Sequence, residues 1–267
     1  MPHPLLDHAD LLRSGRPTFT AWMGLADPVM PDILAREDYD SVTFDMQHGM
    51  HTEASIASGI NLAALAGKPS IVRIPVGAFT VASRALDFGA MGIIAPMINS
   101  VADARQLVAY TKYPPLGERS WGPMRAIPLT GLTLNEYLKA ANRAIVTIAM
   151  IETRAAMDAL DGILEIDGID GVFVGPSDLS IALSNGAEVN AGSAAVDKAL
   201  DHILARARAH GKFASVFATS GARAGELAAR GYALVTTCHD THLLQVGARA
   251  ELKAARGMLR GEGKQAY

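Results

Sequence analysis

Cysteine is almost missing from this chain. The single Cys238 among 267 residues excludes an internal disulfide framework. Excess charge of either sign is missing too. Lys and Arg number 24 against 27 Asp and Glu, a formal charge of −3, which gives no electrostatic case for nucleic acid. No apolar run reaches the roughly 20 residues needed to cross a bilayer. The opening Met1-Pro2-His3-Pro4-Leu5-Leu6-Asp7-His8 lacks the basic start and long apolar core of a signal peptide. Low-complexity tracts and domain linkers are also lacking. What is present is 49% hydrophobic and 19% charged, which rules out disorder and suits one large α/β domain with a deep core. The expectation is a soluble cytoplasmic protein with no nucleic-acid or membrane partner. One domain spans residues 1–267, with 261–267 as a loose tail.

Eight short apolar runs recur with helical stretches between them. They are Phe19–Met23, Val42–Met46, Ser70–Ile74, Gly92–Met97, Ile145–Ile151, Gly171–Gly175, Phe213–Phe217 and Ala233–Thr237. Helical spacing follows over Asp27–Arg36, Thr52–Ala66, Thr80–Phe88, Val101–Tyr110, Leu134–Asn142, Ala194–His210, Arg223–Arg230 and Leu243–Arg260. Thr52 and Ser100 stand as N-caps. Three prolines and two glycines make Lys112–Pro123 a long irregular loop. A strand–helix unit repeated eight times predicts an α/β fold, a single (β/α)8 TIM barrel. A doubly wound open sheet is the competing architecture.

In a parallel barrel, chemistry belongs at the carboxyl ends of the strands. Ile145–Ile151 runs into Glu152, and Gly171–Ser177 into Asp178. Asp45 and His48, three apart at another exit, are placed to hydrogen-bond, which orients the imidazole and raises its basicity. Arg73 ends a strand before Pro75, where its fork suits a carboxylate or oxyanion. The turn Gly175-Pro176-Ser177-Asp178 opens a helix whose free N–H groups can hold a substrate carboxylate. Trp22 and Gln47 are further candidate substrate contacts.

Each residue also has a plainer reading. His48 can be a core histidine, Arg73 the partner of a structural acid, Glu152 a helix N-terminal acid, and Asp178 a cap. Their convergence on one barrel face favours function. Two carboxylates without Cys or His beside them suit Mg2+ or Mn2+. Such an ion can act as a Lewis acid on a 2-oxo acid and stabilise its enolate. No lysine falls inside a strand run, so an imine route is not expected.

The segments Asp45-Met46-Gln47-His48-Gly49, Val72-Arg73-Ile74-Pro75, Tyr113–Arg119, Ile151-Glu152-Thr153 and Gly168–Ser180 resemble, in the same order, the HpcH/HpaI aldolases. These are class II pyruvate aldolases of the 4-hydroxy-2-oxoheptanedioate and 2-dehydro-3-deoxyglucarate type. The resemblance implies a (β/α)8 barrel assembling as a hexamer, a trimer of dimers with an exchanged C-terminal helix. It implies Glu152 and Asp178 as metal ligands, and Arg73 on the keto oxygen. His48, steadied by Asp45, is the implied acid–base residue, and backbone amides at Ser177 and Asp178 hold the carboxylate. Asp87 matches a position that can reach a neighbouring subunit's site.

The chain departs from the family pattern in four places. Gln47 stands for a Glu, and Met150 for a Gln. Ser120-Trp121 replaces a small Gly-containing pair, and Cys238-His239-Asp240 replaces Gly-Ser-Asp. The named sugar-acid and heptanedioate substrates are therefore not carried over, and Trp121 is either a lid or interface packing. The expected activity is metal-dependent cleavage of a 4-hydroxy-2-oxo acid to pyruvate, or a related 2-oxo acid such as hydroxypyruvate, and an aldehyde. The rivals are an acyl-CoA ester lyase of the citrate lyase β-subunit type, a non-catalytic 2-oxo-acid binder, and more remotely a barrel isomerase binding phosphate at Thr219-Ser220-Gly221.

Overall fold

The structure, a computed structural model, describes residues 3–259. The tail expected over 261–267 lies outside the described residues. Eight strands, β1 (Thr18–Met23), β2 (Ser41–Asp45), β3 (Ser70–Arg73), β4 (Gly92–Ala95), β5 (Val146–Ile151), β6 (Gly171–Val174), β7 (Phe213–Val216) and β8 (Leu234–His239), form a closed barrel in sequence order. Every neighbouring pair is parallel, including β1 with β8. The open sheet is thereby excluded.

Alternation along the strands splits the apolar residues between two cores. Trp22, Ile71, Ile94, Ile148, Met150 and Phe173 fill the barrel itself. Ala21, Val42, Val72, Ile93 and Val174 face outward and pack under the helices. The barrel layers mix large and small residues. A Cβ at Gly171 would lie 2.5 Å from the Phe213 ring, so the missing side chain makes room for the phenyl group.

The expected caps are present. The Thr52 side chain accepts from the Ser55 N–H and Ser55 answers in a capping box, while Ser100 accepts from the Asp103 N–H. The helix Pro4–Arg13 went unread in the sequence. It starts on Pro4, carries Asp7 in its first turn, and sends Ala9 and Leu12 into the bottom of the barrel. At β8 the boundary differs from expectation. The strand continues past Thr237 to His239, and the last helix starts directly at Asp240 rather than at Leu243.

At the amino ends of the strands lies a buried charge cluster. Lys112, 1% exposed, gives its Nζ to the carbonyls of Asn142 and Ile145 and, at 2.8 Å, to Asp170. The other Asp170 oxygen takes Arg13 at 2.7 Å. Three elements distant in sequence are thus tied under the barrel, away from the carboxyl ends of the strands. No described helix is long and apolar enough to cross a membrane.

Candidate active site

The exit of β2 is shaped by one carboxylate. Asp45 Oδ1 accepts the backbone N–H of Gln47 at 3.0 Å and of His48 at 3.2 Å, which folds the chain back at the rim. Gly49 is required there. A Cβ would lie 2.3 Å from the Asp45 carbonyl oxygen and 2.9 Å from the Gly24 Cα. The turn leaves His48 exposed at the barrel mouth.

Asp45 does not hydrogen-bond the His48 ring, which corrects the expectation from their spacing. Its oxygens face Arg73 instead, with Nε to Oδ1 at 2.9 Å and Nη2 to Oδ2 at 2.6 Å. Trp22 Nε1 adds a third contact at 3.3 Å. Burial opposes ionisation of Asp45, but the Arg73 fork and the two backbone N–H groups outweigh it, and the carboxyl is held below its ordinary range.

Trp22 is also corrected. At 1% exposure it is not a wall of the site but its underlay. The Arg73 guanidinium lies 4.8 Å above its ring, and Phe173 and Phe217 pack against it at 5.5 and 5.3 Å. Gln47 is half-buried and does not line the cavity at the mouth.

Across the mouth, β5 and β6 deliver the two acids. Glu152 is buried and accepts the Met97 N–H at 2.8 Å. Gly175 caps the helix Pro176–Leu183, whose first turn holds Ser177 and Asp178. First-turn N–H groups have no partner within their helix and favour an anion. A Cβ on Gly175 would sit 2.7 Å from Glu152 Oε2, so glycine lets the acid end of β5 lie against the start of this helix. Burial pushes the Glu152 carboxyl above its ordinary range; the Met97 N–H opposes this, and the negative charge of Asp178 adds to it. The two acids therefore sense each other across one rim.

His48, Arg73, Gly175, Ser177 and Asp178 line one cavity of about 130 Å³. Sequence reasoning missed the rest of its wall. Met150, Phe173 and Phe217 form an apolar side, and His239 stands at the end of β8. Met150 and His239 had drawn notice only as departures from a pattern. The two extra residues of β8 that carry His239 to the mouth had no signal in the sequence.

Asp87 lies elsewhere. It projects from the helix Phe79–Phe88 on the flank of the barrel and pairs with Arg119 Nη2 at 2.8 Å. A separate cleft of about 460 Å³ is lined there by Asp87, Arg119, Arg84 and Tyr110. It is the larger cavity, yet it lacks every strand-end residue named above. Burial raises the Asp87 carboxyl against the pull of Arg119. Trp121 packs on Tyr113 and Tyr137 at ring distances of 5.3 and 6.2 Å and does not line the mouth, so within one chain it is not a lid.

The donor set at the mouth fits a hard divalent ion. Glu152 and Asp178 form no salt bridge among the described residues, and Arg73, which lines the same cavity as Asp178, has its fork on Asp45. Two like charges at one rim without a cationic partner are relieved by a cation that prefers oxygen. Among the described residues no three or more His, Cys, Asp and Glu side chains cluster as a metal cage. A cation held there by protein groups would have these two carboxylates as its candidate ligands.

The family model described as HpcH/HpaI aldolase/citrate lyase matches residues 18–246. A protein of Rhizorhabdus wittichii named hydroxypyruvate/pyruvate aldolase is 39% identical, over 91% of this chain and 96% of its own. One of Salmonella gallinarum named 2-keto-3-deoxy-L-rhamnonate aldolase is 33% identical over 87% of this chain and 86% of its own. The crystal structure of a family protein from Burkholderia cenocepacia superposes with a TM-score of 0.85 at 29% identity, covering 94% of this chain and 99% of that one.

Proposed function

The chain belongs to the HpcH/HpaI aldolase/citrate lyase family, and from that membership we propose that it is a divalent-metal-dependent aldolase. Its reaction is the reversible cleavage of a 4-hydroxy-2-oxo acid to pyruvate, or a related 2-oxo acid such as hydroxypyruvate, and an aldehyde. The observation that carries this is that Glu152 packs against Gly175 at the start of the helix bearing Asp178, and that this helix start lines one cavity with Arg73 and His48.

Glu152 and Asp178 hold the ion, Mg2+ or Mn2+. Bound there, it supplies Lewis-acid polarisation of the 2-oxo acid. The first-turn N–H groups of Ser177 and Asp178 receive the substrate carboxylate. Arg73, kept in place by Asp45 and by the Trp22 face, presents its charge to the oxygen on C2 as negative charge develops there. His48, the exposed base of the rim, takes the proton of the C4 hydroxyl as the C3–C4 bond breaks and the aldehyde leaves, and a proton then returned to C3 of the enolate gives the methyl of the 2-oxo acid; addition runs the same transfers in reverse. The apolar wall of Met150, Phe173 and Phe217 limits water around the carbanion carbon.

In D2O, with Mg2+ or Mn2+ and no aldehyde, the protein is expected to exchange the methyl protons of pyruvate for deuterium. Proton NMR reads the loss of the methyl signal, and EDTA is expected to stop it. Absence of exchange, or exchange indifferent to EDTA, would falsify this reading.

The same reading includes assembly as a hexamer, a trimer of dimers with the C-terminal helix exchanged between subunits and Asp87 reaching a neighbour's site. Two features support it. Asp87 and Arg119 line a cleft on the flank rather than at the mouth. The helix Asp240–Leu259 leaves Leu244, Val246 and Leu252 about half exposed or more, at 52%, 49% and 54%. Light scattering on purified protein is expected to give six times the chain mass of 28.1 kDa; a monomer at micromolar concentration rules the assembly out.

A further inference from the structure

The aldolase reading leaves one polar residue of the cavity without work. His239 ends β8, in register with Trp22 of β1, and reaches the mouth on the side occupied by Phe217. Its ring lies 4.7 Å from the Phe217 ring, centroid to centroid. Exposed at the rim, it forms no side-chain hydrogen bond to the described residues, whereas Arg73, buried below it in the same cavity, is committed to Asp45. It stands in the stretch Cys238-His239-Asp240, where β8 passes directly into the last helix.

Its neighbour Asp240 is fixed, accepting the backbone N–H groups of Gly24 and Leu25 at 2.9 and 2.8 Å. The end of β8 is thereby pinned to the loop after β1, and His239 is held at a set place on the rim. Burial lowers the imidazole below its ordinary value, with Asp45 opposing and Arg73 adding to the shift. At neutral pH the ring then offers one N–H donor and one nitrogen acceptor.

The metal-type acids, Arg73 and the first-turn amides set where the 2-oxo acid lies. The acceptor must approach its methyl carbon from the remaining side, between the apolar wall and His239. A cavity of about 130 Å³ is close to benzene-sized, so what fits beside a three-carbon oxo acid is short.

We propose that His239 is the specificity residue for the aldehyde, hydrogen-bonding a hydroxyl on the carbon next to the carbonyl, so that the preferred acceptors are short 2-hydroxyaldehydes rather than alkyl aldehydes. This rests on the aldolase reading and sharpens it to a substrate class. His239 acts on the choice of aldehyde and takes no proton in the reaction.

Glycolaldehyde and propanal differ only in a hydroxyl for a methyl. The test measures kcat/KM for addition of pyruvate to each, in the metal-loaded protein and in His239→Phe and His239→Asn. His239→Phe keeps a ring against Phe217 and removes the hydrogen bond; His239→Asn keeps a donor and an acceptor. The protein is expected to favour glycolaldehyde, and His239→Phe to lower the glycolaldehyde-to-propanal ratio about tenfold, the scale of one hydrogen bond, mostly through KM for glycolaldehyde. His239→Asn is expected to recover part of the ratio. An unchanged ratio in His239→Phe, or the same fall in His239→Asn, overturns the proposal. Pyruvate proton exchange is followed on the same preparations. Exchange with an unaltered ratio overturns the role of His239 alone, while no exchange in the parent protein overturns both readings.

Discussion

Arg73→Ala is expected to lose about 10²–10³-fold in kcat/KM, the usual cost of removing one donor to a developing oxyanion. It is also expected to lose stability, for a reason that lies in Asp45. That carboxylate is 1% exposed, and Arg73 supplies two of its hydrogen bonds. Removing one partner of a buried pair leaves an uncompensated charge and typically costs about 3–5 kcal/mol. Here the Trp22 indole and two backbone N–H groups remain on Asp45 and soften the loss. The stability cost should therefore fall toward the lower end of that range. Arg73→Lys separates the two effects. An ammonium keeps the charge opposite Asp45 but has no fork to serve the carboxylate and the substrate together. Its urea midpoint should stay near the parent's while turnover still falls. Near-normal turnover in either variant takes Arg73 out of the chemistry. A loss in Arg73→Ala that merely tracks the unfolded fraction makes it a structural residue.

Lys112→Met is expected to be the most damaging single change away from the mouth, by about 3–5 kcal/mol. The ammonium satisfies two backbone carbonyls and one oxygen of Asp170, and its side chain is 1% exposed. Methionine fills the volume but strands the carbonyls of Asn142 and Ile145, and an unpaired buried acceptor costs about 1–3 kcal/mol. Asp170 retains Arg13 and the Thr147 N–H, so the acid itself is not orphaned. A whole domain is stable by only about 5–15 kcal/mol, so the urea midpoint should drop by a large fraction with an unchanged slope. Activity of the folded fraction should persist, because the cluster sits at the opposite end of the barrel from His48 and Asp178. A variant as stable as the parent would mean that Lys112 is idle.

The barrel was legible because its strands are short, β-branched and evenly spaced, and because Thr52 and Ser100 are strong caps. The placement of candidate residues was legible where it depends on strand ends alone, as for Arg73, Glu152 and Asp178. It was not legible where it depends on register. Asp45 lies opposite Arg73 on the adjacent strand, a neighbour 28 residues away in the chain, whereas the sequence presents His48 three residues off as its obvious partner. Trp22 looked available to substrate because a strand's facing side is unknown until the sheet closes. His239 was overlooked because strand ends are set by pairing with β1, not by local propensity.

The seam between first and last strands has a consequence for how the chain is made. Thr18 bonds to Ala233 across 215 residues, and Asp240 clasps the loop at Gly24. At roughly 5–20 residues per second on the ribosome, the leading strand waits on the order of ten to forty seconds for its partner. Throughout that interval it is an open edge, able to pair with whatever else is nascent nearby. Slower translation lengthens that exposure, so aggregation during synthesis should begin at β1.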